Sequence, residues 1–372
     1  MAAPVDPHGL MEFSVVFTDR SLNHMSKAFQ GVMHDIDAML KEVYSAHSVA
    51  VVPGGGTYAM EAVARQFARG RHAMVIRNGW FSYRWTQIFE ATGAPEKETV
   101  LKARRTGNHH QAPFAPFPVD EAVARIRAEA PDVVFAPHVE TSAGMILPDD
   151  YIAQVAAAVH EVGGLFVLDC IASGCIWVDM AELGVDVLIS APQKGWSASP
   201  SAGLVMLSER AEARLADTRS DSFAVDLAKW RAIMKAYEAG GHAYHATMPT
   251  DALRAFRDAM IETRGDGFHA AKARQWALGQ GVRAVMAQKG IRSVAADGFE
   301  APGVVVCYTD DAAMQNGSKF AAEGMQIAAG VPLMCDEPED YSSFRIGLFG
   351  LDKLADVDAT VSRFRGVLDQ VA

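Results

Sequence analysis

Two residues at the ends of neighbouring apolar runs could do chemistry together. The apolar run "GLFVLD" of "GLFVLDCIASG" ends in Asp169, and twenty-five positions on, after "VDVLIS", comes "APQKGW" with Lys194. A lysine amine can condense with an aldehyde, and a carboxylate at a strand end can hold a protonated ring nitrogen. A third element is the stretch "SVAVVPGGGTYAMEAVARQF", residues 48–67, an apolar run leading through a glycine cluster into an amphipathic pattern. A glycine turn that opens a helix presents free N–H groups and the positive end of the helix dipole, which suits an anion.

Gly54, Gly56 and Ala59 fit the dinucleotide pattern G-x-G-x-x-G/A, and they equally fit a turn for one phosphate group. A dinucleotide site calls for an acidic residue about 20 positions further on, for the ribose hydroxyls. The segment there, "AMVIRNGW", offers Arg77 and Asn78 and no carboxylate; Arg77 suits a 2′-phosphate, so an NADP-dependent oxidoreductase stays open as a remote alternative. Asp169, Lys194 and a phosphate turn, in this order and after strands, match what pyridoxal phosphate needs: an amine for its aldehyde, an acid for its ring nitrogen and a cradle for its phosphate.

These residues need a frame. Apolar positions near helical spacing (Met33, Ile36, Met39, Leu40, Val43) predict a helix over 21–45. Strand-like runs then alternate with helix-like ones: "VAVVP", "AMVIRNG" before "WFSYRWTQIFEATG", "DVVFAPH" before a helix at about 149–162, then "GLFVLD", "VDVLIS" and "GLVML". That alternation predicts an α/β fold, a mostly parallel central sheet covered by helices, with ligands at the carboxyl ends of the strands. After about residue 250 comes a strand-free helical stretch (251–290), then "GVVVCYTD", a helix near 311–325, "FRIGLFG" and a last helix near 353–370. The expected division is an N-terminal arm (1–20), a large α/β domain (21–255) and a smaller C-terminal α+β domain (256–372).

At these motifs the sequence resembles the class V aminotransferases of fold type I, most of all the alanine–glyoxylate and serine–pyruvate group, over nearly its whole length. The resemblance implies that Gly55, Gly56 and Thr57 of "GGGTYAMEA" bind the cofactor phosphate, and that Phe81 of "RNGWFSYRW", with Trp80 beside it, stacks on the pyridine ring. It implies that Thr141 and Ser142 of "HVETSAGM" approach the ring oxygen or the substrate, that Asp169 holds the ring nitrogen, and that Gln193 and the Schiff-base Lys194 complete the cofactor site. Pro192 stands where the family has a small hydroxyl residue or glycine, which removes one phosphate contact. Tyr244 and Thr247 of "AYHATMP" would reach the neighbouring subunit's phosphate, so a homodimer with active sites at its interface is implied. Arg345 of "FRIGLFG" would grip the substrate α-carboxylate, and Asn23 lies where the N-terminal segment approaches the site. The implied reaction moves an amino group from alanine or serine to a 2-oxo acid such as glyoxylate or pyruvate.

Cys335 supports a rival in the same fold, a cysteine desulfurase-like lyase, because those enzymes carry a nucleophilic thiol shortly before the carboxylate-binding arginine. Against it, the acidic run "CDEPEDY" would raise the thiol pKa. That run reads as an exposed loop that could border the substrate entrance. His109 and His110 in "GNHHQAP" lack a carboxylate at ligand spacing and read as a solvated turn, so no metal is expected. His242 and His245 read as structural. The chain has 372 residues, half of them hydrophobic, and a net charge of -11, a poor fit to nucleic acid or anionic membrane. Four cysteines without a C-x-x-C pair point to a reducing compartment. With no signal-peptide pattern at the start and no membrane-length apolar run, the expected location is the cytoplasm.

Overall fold

The computed structural model describes residues 5–372. Residues 1–4 of the expected arm lie outside them; the rest of the arm forms no helix or strand before Lys27. Helix α1 (Lys27–Tyr44) begins where the Ser26 hydroxyl accepts the Phe29 N–H, and it buries Phe29, Val32, Met33, Ile36, Met39 and Leu40. The cap satisfies one orphan donor of the first turn, and the buried stripe recurs at helical spacing.

Seven strands make the central sheet: β1 (Ser48–Pro53), β2 (His72–Arg77), β3 (Lys97–Lys102), β4 (Val133–Pro137), β5 (Leu165–Asp169), β6 (Val187–Ser190) and β7 (Ala202–Leu207), in the order β1-β7-β6-β5-β4-β2-β3. Neighbours from β6 through β3 pair in parallel; β7 is antiparallel to both β1 and β6. Strands β4 to β7 are buried at every residue, which is why they read as unbroken apolar runs rather than alternating ones. Helices cover the sheet, among them α2 (Gly56–Phe67) after β1, α3 (Trp80–Thr92) after β2 and α4 (Asp149–Glu161) after β4. The strand order jumps between β4 and β2, and the chemically suggestive residues follow the carboxyl ends of β1, β2, β4, β5 and β6, as expected for an open α/β sheet.

The helical stretch expected over 251–290 is two helices, α5 (Thr250–Asp266) and α6 (Phe268–Gln288), broken at Gly267, whose φ of 88° interrupts the helical path. Residue 255, the expected boundary, falls inside α5. A second sheet of three antiparallel strands follows: β8 (Val304–Tyr308), β9 (Ala328–Ala329) and β10 (Ser343–Gly347), with β10 in the middle. The helix expected near 311–325 is two short turns, Ala312–Gln315 and Ser318–Ala322, separated at Asn316 and Gly317; the last helix is Val357–Val371. Strand β3 escaped the sequence reading because "KETVLK" is charged at the sheet edge, where only Leu101 is buried. No helix among the described residues is long and apolar enough to cross a membrane.

Candidate active site

The glycine turn closes β1 and opens α2. Gly54 has φ +122° and the Tyr58 ring lies where its Cβ would be; at Gly56 a Cβ would stand 2.5 Å from Ile171 Cδ1. Only glycine fits either position without displacing its neighbour. Gly54 N–H donates to the Ser201 carbonyl (2.9 Å) and Tyr58 N–H to that of Gly55 (3.0 Å). The N–H groups of Gly55, Gly56 and Thr57 donate to no acceptor among the described residues. Three successive free donors at a helix start form an anion cradle.

Asp169 ends β5, 8% exposed. One carboxylate oxygen accepts the Ile171 N–H (2.9 Å). Burial pushes its carboxyl up to about 7; that hydrogen bond opposes the rise, the Glu140 charge adds to it, and Arg84 counters it. A carboxylate held this far from water with one hydrogen bond fits a protonated ring nitrogen, which would supply the missing counter-charge. Its carbonyl accepts the His138 N–H (2.8 Å), and the His138 ring, bonded to Ser173 Oγ at 2.7 Å, is driven down to about 3 by burial, with Lys272 adding to the shift.

Lys194 follows β6 on a loop pinned by Trp196, which is buried against Tyr44, Trp177, Phe256 and Phe268. Gly195 leaves no room for a side chain, since a Cβ would collide with the Gly174 carbonyl. Half-buried, the Lys194 amine makes no hydrogen bond or ion pair among the described residues; its Nζ lies 5.0 Å from the centre of the Phe349 ring. Burial, and then the charge of Arg345, lower its pKa, which favours the neutral, nucleophilic amine. Gln193, beside it, leaves its buried Oε1 without a partner.

Arg345 lies on β10, with Nε donating to the Ala329 carbonyl (2.8 Å). Its guanidinium lies 5.4 Å from the centre of the Phe81 ring, and that of Arg84 lies 5.2 Å from the same ring. Two cations thus lie close to the Phe81 ring, while Trp80 leans on Tyr83 (5.6 Å between ring centres). Arg84 Nη1 also donates to Thr57 Oγ1 (3.0 Å), tying α3 to the glycine turn. Asp169, Lys194, Arg345, Phe81 and Gly55–Thr57 are therefore drawn together, with Arg84 at the junction.

Glu140 underlies this arrangement. It is fully buried, and its carboxylate accepts from Phe81 N–H (3.1 Å), Ser82 N–H (2.8 Å), Ser82 Oγ (2.7 Å), Ser142 N–H (3.0 Å) and Ser142 Oγ (2.7 Å). An anion at the start of α3 satisfies that helix's orphan donors and its dipole. Ser142, expected near a ring oxygen, is also engaged here: its hydroxyl donates to Glu140 and accepts the Trp80 N–H (2.8 Å). Thr141 remains partly exposed. Neither Glu140 nor Arg84 was singled out from sequence. Arg84 shares the helix face of Phe81 at i+3, and that spacing was the available signal.

The remaining expected residues lie apart. Tyr244 is 55% exposed and bonds to the exposed Thr247 (3.1 Å); Asn23 bonds to Glu12 (2.8 Å) and Ser14 (3.0 Å) of the arm. No hydrogen bond from these three reaches Lys194, Asp169 or Arg345 within the chain. Nearby, His242 packs edge-on against His24, and His245 bonds to the Phe223 carbonyl (2.7 Å). His110 lies between Asp310 (3.1 Å) and Asp340 (3.2 Å), and among the described residues no group of three metal-ligating side chains is arranged to hold an ion.

Two rival expectations meet the structure badly. Arg77 is buried, donating to Thr86 Oγ1 (2.6 Å) and lying over the Tyr83 ring, so it is not free to meet a 2′-phosphate. Cys335 is buried as well, its Sγ within 3.4 Å of the Arg77 carbonyl. Burial, with Glu140 and Glu337 adding, pushes its thiol up to about 12, so it is not a thiolate at neutral pH. The loop around it is only partly exposed: Glu337 turns inward and accepts the N–H groups of Leu333, Met334 and Cys335.

The model for "Aminotransferase class-V" matches residues 12–337. The chain belongs to that family. It is 26% identical over 357 residues to a Synechococcus protein named the small subunit of a soluble hydrogenase, covering 94% of this chain and 88% of the relative. It is 25% identical over 359 residues to the 2-aminoethylphosphonate–pyruvate transaminase of Paraburkholderia phymatum (93% and 89% covered). It is 26% identical over 265 residues to the alanine–glyoxylate aminotransferase 1 of Saccharomyces cerevisiae (67% and 66% covered). Among solved structures, an alanine–glyoxylate aminotransferase from Nostoc superposes with a TM-score of 0.77 at 22% identity (94% and 89% covered), which shows the fold. The family is pyridoxal-phosphate-dependent, and this member is a transaminase of fold type I.

Proposed function

We propose that this transaminase binds pyridoxal phosphate at Lys194 and moves an amino group from a small amino acid, alanine or serine, to glyoxylate or pyruvate. The observation that carries the reading is the unpartnered, half-buried Lys194 amine in one cluster with the under-bonded Asp169 carboxylate and the three free N–H groups of Gly55–Thr57. When bound, the cofactor supplies an electron sink for the charge left at Cα as the Cα–H bond breaks. Asp169 keeps a proton on the ring nitrogen. Phe81 fixes the ring plane. Arg345 takes the substrate α-carboxylate in a bidentate grip, which orients the Cα–H bond. Lys194, freed once the substrate amine takes its place on the cofactor and with its pKa lowered, would accept the Cα proton and deliver it to the cofactor's former aldehyde carbon, across the substrate nitrogen.

Several parts rest on the family resemblance: the contacts of Gln193, Thr141 and Ser142, the approach of Asn23, and the gift of Tyr244 and Thr247 to a second subunit's phosphate. The exposure of Tyr244 and Thr247 in the single chain supports the homodimer. A three-part chain and a cytoplasmic location complete the proposal.

The test is an absorbance spectrum of the purified protein before and after separate additions of L-alanine, L-serine and L-cysteine. A visible cofactor band that alanine or serine bleaches, and that Lys194→Ala lacks, is expected. A band unmoved by both donors, with sulfide or alanine released from cysteine, would overturn the reading in favour of the lyase. No band after added pyridoxal phosphate would overturn the cofactor assignment itself.

A further inference from the structure

We infer that Arg84 is a direct ligand of the anionic group held at the glycine turn and supplies the positive charge that the turn lacks. This rests on the cofactor reading above and adds a residue to it. A phosphate monoester carries nearly two negative charges at neutral pH. The cradle of Gly55, Gly56 and Thr57 offers backbone N–H groups and one hydroxyl, all neutral. Pro192 removes a further donor from the loop before Lys194. A turn of neutral donors that takes a dianion gains from a formal positive charge close by.

Among the described residues, Arg84 is the cationic side chain that hydrogen-bonds the turn, through Nη1 to Thr57 Oγ1 at 3.0 Å. It has no carboxylate partner there. Its guanidinium lies 5.2 Å from the centre of the Phe81 ring and is partly buried, so it is held by the aromatic face and by Thr57 while its remaining N–H groups stay free. The guanidinium fork matches tetrahedral phosphate oxygens better than an ammonium does. Its place on α3 is fixed from below by the three hydrogen bonds that Phe81 and Ser82 of that helix donate to Glu140. One helix turn therefore carries both the ring that stacks and the cation for the phosphate, and their spacing is set by the helix rather than by a loop.

The experiment compares pyridoxamine 5′-phosphate with pyridoxamine, two ligands that form no bond to Lys194 and differ only in the phosphate. Calorimetric titrations are run on the full-length protein, freed of cofactor, as wild type, Arg84→Ala, Arg84→Gln and Arg84→Lys. Arg84→Gln retains a donor toward Thr57 but drops the charge. The wild type should prefer the phosphorylated ligand strongly. Loss of one charge-assisted contact should weaken pyridoxamine phosphate about 10- to 100-fold in the Ala and Gln variants, less in the Lys variant, with pyridoxamine unchanged. Inorganic phosphate should compete with pyridoxamine phosphate more weakly in the variants. An equal loss for both ligands would overturn the inference and leave Arg84 as a support for Phe81. An undiminished preference in Arg84→Gln would overturn it too. A wild type with no preference for the phosphorylated ligand would bring down the phosphate reading of the turn itself, a separate failure.

Discussion

Replacing Asp169 by asparagine should abolish transamination and yet stabilise the cofactor-free protein, increasingly so as the pH rises. In the fold, Asp169 is buried at the end of β5 with one backbone hydrogen bond, and the Glu140 charge adds to the cost of ionising it. Its carboxyl moves from 3.8 to about 7. Between these values the unfolded chain has released the proton and the folded chain still holds it, so stability falls as the pH climbs from about 4 to about 7 and is level above. Each unit corresponds to about 1.36 kcal/mol, so the whole effect is about 4 kcal/mol and about 2 kcal/mol of it accrues between about pH 5.5 and about pH 7. The asparagine amide has no such proton to lose and escapes that cost. The assay is urea unfolding of the cofactor-free wild type and Asp169→Asn, followed by tryptophan fluorescence, from pH 5 to 8. The advantage of the variant should widen with pH and then plateau. Added pyridoxal phosphate should reverse the ranking, because only the carboxylate can hold the ring-nitrogen proton. A stability difference that does not change with pH would refute the reasoning, since it would mean that Asp169 is already ionised in the folded protein.

Gly79→Ala should cost about 3 kcal/mol of stability and weaken cofactor binding as well. The new Cβ would collide with Ser142 Oγ and stand 2.8 Å from Glu140, displacing the groups that cap α3 and thereby moving Phe81 and Arg84; thermal unfolding and a cofactor titration measure the two effects. Cys335→Ala should leave transamination at the wild-type rate, and native Cys335 should resist alkylation at pH 7 until the protein unfolds, because its thiol is buried with a pKa of about 12. Rapid labelling of Cys335 by iodoacetamide in the folded enzyme would revive the lyase.

The sequence alone determined the parts of this protein that depend on neighbours in the chain. Unbroken apolar runs such as "DVVFAP" and "GLFVLD" mark strands buried on both faces, and a glycine cluster between such a run and an amphipathic stretch marks an anion turn. Asp169 and Lys194 could be proposed for the same reason, since Asp169 ends β5 and Lys194 follows β6. Tertiary structure decided what depends on groups distant in sequence. Glu140 caps a helix that starts sixty residues earlier, and Arg84 reaches Thr57 across twenty-seven positions. Arg77 and Cys335 looked chemically available, and they are not, because the chain brings them together 258 residues apart inside the protein. Burial there keeps a ligand from reaching the cation and removes the water that would solvate a thiolate. A motif states which groups a segment carries; whether a group meets solvent, a ligand or its own neighbours is set by packing, and packing belongs to the whole chain.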